Sequence, residues 1–463
     1  MPLRRTEPLR IDISGTNNYE EKGGIDLKHI KISVVASLCL FLIIFGATLA
    51  LSVFAASDAP VITGANAAYF YSIDRKTVMA EKNSTEKVYP ASTVKLMTGI
   101  VAIENLADKL ETVVTVREEM LAGVTGNKMG LKAGERVKVV DLLYGTLCGG
   151  SNDSAAVLAY TVSGSIDAFV SLMNEKAVLL GALDTHYTNV SGMHDPSMVT
   201  TAYDTFLIAK AASEIPLFIE ITSESRYQMA ATNMSDGRNI YNKNYLISRY
   251  SETRYYNRYA MGLNSGSTTQ GGYCLATFTE KEGQKYICVV MGGEERNGEI
   301  TSYTTANELI NWAYSSFGYV EVISPERLVC EVGVELSEDV DYVTLHPKSS
   351  LTVFMPLDTD IEKELVYSHK LTSATLEAPV EQGQVAGFIT VELDGEILGS
   401  VELITMNKVE RSEFLYALKK IRDFTTSTAF IASAVTFVVL MTVYIFGTAI
   451  YRGKPNRRRR RYR

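Results

Sequence analysis

The sequence predicts an α+β fold: an antiparallel sheet with a helical section, then a small all-β domain, flanked by two transmembrane helices. Three observations lead to this prediction. Strand-like segments open and close the region before residue 317, with helical patterns between them. Residues 319–406 alternate short β-rich runs with turn signals such as "GFITVELDGEILGSVELI". Two long apolar runs without any charge lie near the ends of the chain.

The segments before residue 317 follow in a definite order. Residues 65–82, "ANAAYFYSIDRKTVMAEK", predict a β-hairpin, and "STVKLMTGIVAIENLA" from Ser92 has helical spacing. Later, "YCLATF" and "KYICVVMGG" flank "TEKEGQ" and predict a second hairpin, and residues 304–317 predict a closing helix. Strands at both ends of a helical section indicate an α+β layer fold whose sheet joins the two ends.

The two apolar runs span residues 32–56 and 429–450, and each is long enough to cross a bilayer as a helix. A buried core helix rarely runs this long without a charge. Lys28 and Lys31 precede the first run and an arginine cluster follows the second, so the positive-inside rule places both termini in the cytoplasm. The first run is alternatively a signal sequence cut near residues 53–55. Under either interpretation the middle of the chain is extracytoplasmic, and the protein belongs to the cell membrane.

These boundaries divide the chain into seven parts. We predict a cytoplasmic segment at 1–31, an anchor or signal sequence at 32–56, an α+β domain at 57–317, a β domain at 318–408, a helical stalk at 409–428, a transmembrane helix at 429–450 and a basic cytoplasmic tail at 451–463.

Charge and cysteine content exclude several classes of function. The formal net charge is −8, although the last twelve residues hold eight Lys/Arg and no acid. The remainder is therefore strongly acidic and a poor nucleic-acid binder. Outside the first apolar run, four cysteines are scattered without zinc-site spacing, and we predict neither a metal site nor a particular disulfide. These cysteines are Cys148, Cys274, Cys288 and Cys330.

The segment "YPASTVKLMTG" carries the first candidate chemistry. Ser92 and Lys95 are three residues apart at a predicted helix start, so their side chains lie on one face, one turn apart. A serine hydroxyl needs an adjacent base to act as a nucleophile, and a buried lysine that loses its proton supplies one. The helix N-terminus also points N–H groups at a developing oxyanion.

Two further segments carry polar groups suited to a substrate. In "CGGSNDSAA", Asn152 either presents its amide to a substrate carbonyl or to Lys95, or caps the following helix. Asn264, Ser265 and Gly266 lead towards the strand "YCLATF", where a glycine lets a ligand backbone approach closely. A plain turn is the alternative interpretation of this third segment.

Taken together, the three segments resemble a known family. Ser-x-x-Lys, then Ser-x-Asn, then Lys-Thr-Gly before a strand is the signature of penicillin-binding proteins and class A β-lactamases. The segments "YPASTVKLMT", "DLLYGTLCGGSNDSAAVLA", "MNEKAVLLGALDTHYTNVSGMHD", "TTAYDTFLIAKAA" and "GGYCLATF" are similar, in order, to those of low-molecular-mass D-alanyl-D-alanine carboxypeptidases. The resemblance covers about residues 60–315 and implies a penicillin-binding/β-lactamase-like transpeptidase domain. Residues 319–406 are similar to the C-terminal domain that these enzymes often carry.

The resemblance implies roles for individual residues. Ser92 corresponds to the acylated nucleophile, Lys95 to its proton acceptor and Asn152 to the asparagine of the second motif. The backbone N–H groups of Ser92 and Ser267 correspond to the oxyanion hole. Ser265 and Gly266 fill the threonine and glycine places of the third motif.

Two departures from the family pattern affect the site. Asn264 stands where the family has lysine, and Gly150 stands where it has serine, with Ser151 shifted by one. The family lysine attracts the terminal carboxylate of the substrate, and losing such a charge costs about 1.5–3 kcal/mol. Ser151 is a candidate to replace the missing hydroxyl, and Arg254 or Arg258 to replace the missing charge.

The resemblance implies a serine carboxypeptidase that removes the terminal D-alanine from peptidoglycan stem peptides ending in D-Ala-D-Ala through an acyl-enzyme on Ser92. β-Lactams are then covalent ligands, and no cofactor is expected. The altered motifs leave open a catalytically impaired homologue that binds cell-wall peptide or a partner protein. A β-lactamase is disfavoured because no convincing Glu-x-x-x-Asn loop is present, and a Ser-His-Asp hydrolase because Gly-x-Ser-x-Gly is absent.

Overall fold

A computed structural model describes residues 59–452 of the chain. The first apolar run and the basic tail after Arg452 lie outside the described residues, so the predictions made for them remain predictions.

The helices, numbered along the chain, are α1 (Val94–Leu106), α2 (Glu118–Leu121), α3 (Val139–Leu147), α4 (Asn152–Ser163), α5 (Ile166–Leu179), α6 (Ala202–Ser213), α7 (Pro216–Ser223), α8 (Thr301–Ser316), α9 (Ile361–Glu364), α10 (Glu413–Thr426) and α11 (Thr428–Arg452). The strands are β1 (Ala67–Ser72), β2 (Thr77–Lys82), β3 (Val113–Thr115), β4 (Arg136–Lys138), β5 (Arg226–Met229), β6 (Arg238–Tyr241), β7 (Ala260–Thr268), β8 (Gly272–Lys281), β9 (Gln284–Gly293), β10 (Glu295–Arg296), β11 (Glu299–Ile300), β12 (Phe317–Ile323), β13 (Cys330–Glu335), β14 (Tyr342–Pro347), β15 (Leu351–Pro356), β16 (Leu365–Leu371), β17 (Thr375–Glu377), β18 (Val385–Leu393) and β19 (Glu396–Thr405).

A five-stranded antiparallel sheet with the order β2-β1-β9-β8-β7 forms the centre of the first part. It joins the two ends of this part, because β1 pairs with β9 across more than two hundred residues. Both predicted hairpins, β1–β2 and β8–β9, are confirmed. The closing helix α8 begins three residues earlier than expected.

Successive side chains of a strand point to opposite faces of the sheet, and in this sheet both faces are covered by a core. Tyr69 and Val289 belong to the large core on the face of the helical section. Phe70 and Val290 pack on the other face in a second core that includes Leu309 of α8. The edge strand β7 is thereby held between two packed layers.

Helix α1 lies inside the helical section. Every residue from Val94 to Ile103 is buried, and a helix that is buried around its whole circumference is typical of a core position. It packs against α3, α4, α5 and α6. The residues at its N-terminus are therefore held rigidly next to the sheet.

The chain after residue 316 is rich in strands, as predicted. A six-stranded sheet has the order β16-β18-β19-β14-β13-β17, and β12 pairs with β15. In the second half of strand β19, from Ser400 to Thr405, buried side chains alternate with half-buried or exposed ones, which is the pattern of a sheet with one covered face. This all-β part follows the α+β part, although the boundaries proposed at 318 and 408 remain predictions.

Two helices end the described chain. Helix α10 lies within the range 409–428, for which the stalk remains a prediction, and the second apolar run lies within α11. Within residues 59–452, α11 is the one unbroken helix that is long and apolar enough to cross a membrane. Two spans are therefore not established, because the first apolar run falls outside the part that the structure describes.

Candidate active site

The candidate nucleophile lies on a short turn that leads directly into α1. Residues Ala91–Thr93 form one turn of 3₁₀ helix, and Lys95 is the second residue of α1. Lys95 Nζ lies 3.3 Å from Ser92 Oγ. Ala91 has a φ of 47°, a region that costs a non-glycine residue about 1–3 kcal/mol. The packed core around α1 thus holds Ser92 on a strained turn, within reach of the amine.

Lys95 is enclosed by protein. Its side chain is 0% exposed, and Nζ donates a hydrogen bond of 2.5 Å to the carbonyl oxygen of Ser191. Burial away from water disfavours the ammonium form and lowers the pKa of Lys95 to about 7. A substantial fraction of this lysine is therefore neutral near pH 7 and can accept a proton.

The loop that receives Lys95 is shaped by one asparagine. Asn189 Oδ1 accepts hydrogen bonds from the backbone N–H groups of Ser191 (3.1 Å) and Gly192 (2.8 Å). This arrangement fixes the Ser191 carbonyl that orients the amine.

Strand β7 forms the opposite wall of a cleft of about 270 Å³ in front of Ser92. At Gly266 the strand approaches so closely that an added Cβ would lie 2.4 Å from Ser92 Cβ and 2.7 Å from Ser92 Oγ. Ser265 Oγ donates to the carbonyl of Lys243 (3.0 Å) and is also hydrogen-bonded to Tyr303 Oη (2.9 Å). Ser267 is exposed and lines the cleft. The first and third motifs therefore meet, and only a glycine fits at their closest point.

The second motif begins α4 beside this cleft. Asn152 Nδ2 donates to the carbonyl of Thr125 (2.8 Å), and the Asn152 backbone N–H donates to the carbonyl of Asn127 (2.7 Å). Asn152 is the first residue of α4 rather than its N-cap, so the capping interpretation is wrong. Its amide holds the Thr125–Asn127 segment, while Asn127 itself lines the cleft.

Two predicted substrate-binding residues lie beneath the cleft surface. Ser151 and Asn264 are each 3% exposed, and neither lines the cleft around Ser92. Ser151 Oγ lies on the side of Gly149, 3.3 Å from where a Cβ on that glycine would be. Asn264 Oδ1 is buried without a hydrogen-bond partner within the described structure. Substrate contact by these two residues stays a prediction, since the strand and loop geometry buries both.

The proposed replacements for the missing lysine charge lie elsewhere. Arg254 and Arg258 line a different groove, and Arg254 pairs with Glu252 at 2.6 Å. The cation that does line the cleft is Lys243. The signal available for it was the pair of flanking asparagines in "YNKNY", whose side chains hold the backbone there through hydrogen bonds.

Asp153 is a second residue that the sequence interpretation missed. Its buried carboxylate accepts hydrogen bonds from three consecutive backbone N–H groups, those of Met129, Gly130 and Leu131, at 2.9–3.0 Å. The segment next to Asn127 is thereby tied to the start of α4. A buried acid directly after the motif asparagine was the available signal.

Comparisons with known proteins show which family the chain is similar to. Residues 55–295 match the family model described as "D-alanyl-D-alanine carboxypeptidase", and residues 317–411 match "Penicillin-binding protein 5, C-terminal domain". The chain is 31% identical over 346 residues to the D-alanyl-D-alanine carboxypeptidase DacC of Escherichia coli, covering 73% of this chain and 82% of that protein. It is 27% identical over 363 residues to DacF of Bacillus subtilis, covering 75% and 87%.

A solved structure shares the architecture. Penicillin-binding protein 5 of Haemophilus influenzae superposes with a TM-score of 0.53 and 26% identity, covering 76% of this chain and 99% of that one. The order of motifs, the paired Ser92 and Lys95, and a family match over more than half of the chain lead to one conclusion. The chain belongs to the D-alanyl-D-alanine carboxypeptidase family.

Proposed function

We propose that this protein is a serine-type D-Ala-D-Ala carboxypeptidase that trims the terminal D-alanine of peptidoglycan stem peptides. The observation that carries the proposal is the 3.3 Å separation between Lys95 Nζ and Ser92 Oγ, with the amine fully buried. A neutral amine at this distance accepts the hydroxyl proton as the hydroxyl oxygen attacks. The names of the relatives supply the substrate class.

The reaction follows in two halves. Ser92 Oγ attacks the carbonyl carbon of the penultimate D-alanine while its proton passes to Lys95 Nζ. The C–N bond then breaks, the proton passes to the leaving amine, and free D-alanine departs. Water attacks the resulting ester, giving the shortened peptide and regenerating the serine hydroxyl. Because Gly266 approaches Ser92 closely, we propose the backbone N–H groups of Ser92 and Ser267, on either side of this contact, as the oxyanion hole.

A covalent adduct tests the proposal. The full-length protein in detergent is incubated with benzylpenicillin, and the intact mass and the labelled peptide are determined. We expect one adduct on Ser92, none in Ser92→Ala, and unchanged labelling in Ser223→Ala, which removes an exposed serine hydroxyl at the end of α7. Absence of an adduct on folded wild-type protein would contradict the acyl-enzyme.

A second candidate function is that of a catalytically impaired homologue that binds cell-wall peptide or a partner protein. The unpartnered Oδ1 of buried Asn264 and the missing side chain at Gly150 favour it. The double variant Asn264→Lys with Gly150→Ser discriminates between the two functions. A Cβ at position 150 would have its nearest neighbour at 3.5 Å, although the φ of 63° carries a cost of about 1–2 kcal/mol for serine. A gain of several orders of magnitude in D-alanine release would establish the impaired homologue.

We further propose that the catalytic domain is extracytoplasmic and that both termini are cytoplasmic. Support comes from α11 and from the basic residues that follow it in the sequence. Epitope tags at each terminus test this topology: antibodies should reach neither tag in intact spheroplasts and both after permeabilisation. A tag at the N-terminus that is lost from the mature protein would instead show cleavage of the first apolar run.

A further inference from the structure

The cleft in front of Ser92 contains a cation that the three motifs do not predict. Lys243 lines the cleft together with Ser92, Gly150 and Gly266. It is the one charged side chain among the cleft-lining residues, all of which lie in the described part of the chain. Its side chain is exposed, and no carboxylate of residues 59–452 lies within ion-pair distance of it. An unpaired ammonium at the mouth of a catalytic cleft is available to an anionic ligand.

The backbone of Lys243 is fixed from both sides. Its N–H donates to the carbonyl of Cys148 (3.0 Å), just before the second motif, and its carbonyl accepts from Ser265 Oγ (3.0 Å) in the third motif. Residue 243 thus links the two segments in which this chain departs from the family pattern. The backbone from which this cation projects is therefore fixed, and binding has to order only the Lys243 side chain.

The flanking asparagines strengthen this fixation. Asn242 Nδ2 donates to the carbonyls of Thr222 (2.9 Å) and Glu224 (2.8 Å). Asn244 Nδ2 donates to the carbonyl of Gly262 (3.2 Å), on the strand that leads into the third motif. Both asparagines are buried, so the lysine between them projects from an anchored turn.

The two departures from the family pattern, at positions 150 and 264, leave space for the Lys243 side chain and remove a competing positive charge. The Lys243 stem passes over Gly150, with Cγ 3.5 Å and Cβ 3.8 Å from the position of a Cβ there. A longer side chain at position 150 would compete with the stem for this space. At the same time, Asn264 removes the cation from strand β7, and no second positive charge on β7 faces the cleft-lining ammonium.

We propose that Lys243 is the substrate-binding cation of this protein and recognises the C-terminal carboxylate of the D-Ala-D-Ala peptide in place of a lysine at position 264. The inference deepens the proposed function by naming the group that selects a free carboxylate. It rests on that function for the identity of the ligand. Removal of the charge should weaken binding of the acid about 10- to 100-fold, the range of a hydrogen bond to a charged group.

Binding measured without turnover separates this inference from the proposed catalysis. Full-length Ser92→Ala in detergent is titrated with an N-acetylated peptide ending in D-Ala-D-Ala and with the C-terminal amide of the same peptide, and ligand-observed NMR gives both dissociation constants. We expect the acid to bind about 10- to 100-fold more tightly than the amide. Adding Lys243→Met should reduce this preference to below about threefold, whereas Lys243→Arg should retain most of it.

The control is Lys128→Met, which removes an equal charge from an exposed residue outside the cleft lining. It should leave the preference for the acid unchanged. A preference that persists in Lys243→Met, or a parent protein that binds acid and amide equally, would overturn the inference. Because these proteins lack the nucleophile, a missing penicillin adduct on the wild type affects the catalytic proposal alone.

Discussion

Lys95 donates a 2.5 Å hydrogen bond to the carbonyl of Ser191, a residue 96 positions away in the sequence. This contact places the amine between a fixed acceptor and Ser92 Oγ and keeps it out of water. The site therefore contains a lysine whose proton affinity is set by burial. The first two predictions depend on this property.

Acylation should depend on pH through Lys95. Only the neutral amine accepts the proton from Ser92, and burial lowers the pKa of Lys95 to about 7. The rate constant for acylation by penicillin should therefore rise about tenfold per pH unit below pH 7 and level off above pH 8. Stopped-flow measurements with a fluorescent penicillin between pH 5 and 9 check this, with the thermal midpoint of the protein recorded at each pH. A flat profile across this range would remove Lys95 as the base.

Stability should also depend on pH through the same group. The pKa of Lys95 is about 7 in the folded protein, below the ordinary 10.5 of a lysine in the unfolded chain. Between these values the unfolded chain holds the proton and the folded chain does not, so stability rises with pH by at most about 1.4 kcal/mol per unit. The loss of stability caused by burying Lys95 is greatest below pH 7 and disappears above pH 10.5.

The variant Lys95→Met isolates this effect. Urea unfolding followed by the fluorescence of Trp312, the single tryptophan, gives the free energy of unfolding at pH 7.5 and 9.5. The wild type should gain about 2–3 kcal/mol relative to Lys95→Met over this interval. The exposed-residue control Lys128→Met should follow the wild type. Parallel pH dependences for the wild type and Lys95→Met would show that the amine is charged in the folded protein.

The substitution Gly266→Ala should block acylation while the fold persists. The new Cβ would lie 2.4 Å from Ser92 Cβ, so either the nucleophile or strand β7 must move. A displacement of about 1 Å in a catalytic group costs on the order of 100-fold in rate. Penicillin labelling measures the loss, and circular dichroism monitors folding. Gly333→Ala is the matched control, because a Cβ on that strand glycine meets its nearest atom at 3.6 Å. A Gly266→Ala protein that is labelled at the wild-type rate would contradict the close approach of Gly266 to Ser92.

The substitution Asp153→Asn should weaken both the fold and the site. An amide offers one oxygen acceptor in place of the two that receive the N–H groups of Met129, Gly130 and Leu131. We expect the free energy of unfolding to fall by about 1–3 kcal/mol and acylation to slow, since Asn127 and Asn152 lose their support. The exposed acid Asp167 provides the control Asp167→Asn, which should change stability by less than about 0.5 kcal/mol. Equal effects of the two substitutions would show that the contacts of Asp153 contribute little.

Local patterns in the sequence identified much of the fold and part of the site. The hairpins β1–β2 and β8–β9 follow from alternating apolar residues around turn signals, and α1 follows from helical spacing, because both patterns depend on neighbours in the chain. The same locality explains why the sequence predicts Ser92 and Lys95 as a pair. A separation of three residues at a helix start places their side chains on the same face, one turn apart.

The residues that the sequence did not indicate are those defined by contacts between distant segments. Asn127 and Lys243 reach the cleft through a loop and a turn that have no motif of their own. Arg254 and Arg258 were reasonable candidates by charge, yet the fold places them in another groove. Asn152 suits a helix cap by residue type, but its amide contacts the carbonyl of Thr125.

By itself, the sequence determined the pairing of the candidate nucleophile with its candidate base, the order of strands and helices, and the apolar segments, because each depends on the spacing of nearby residues. The tertiary structure alone decided which side chains share the cleft, how deeply Lys95 is buried and which cation faces Ser92. Burial and long-range hydrogen bonds depend on the packing of segments far apart in the chain, and local residue patterns carry no information about that packing.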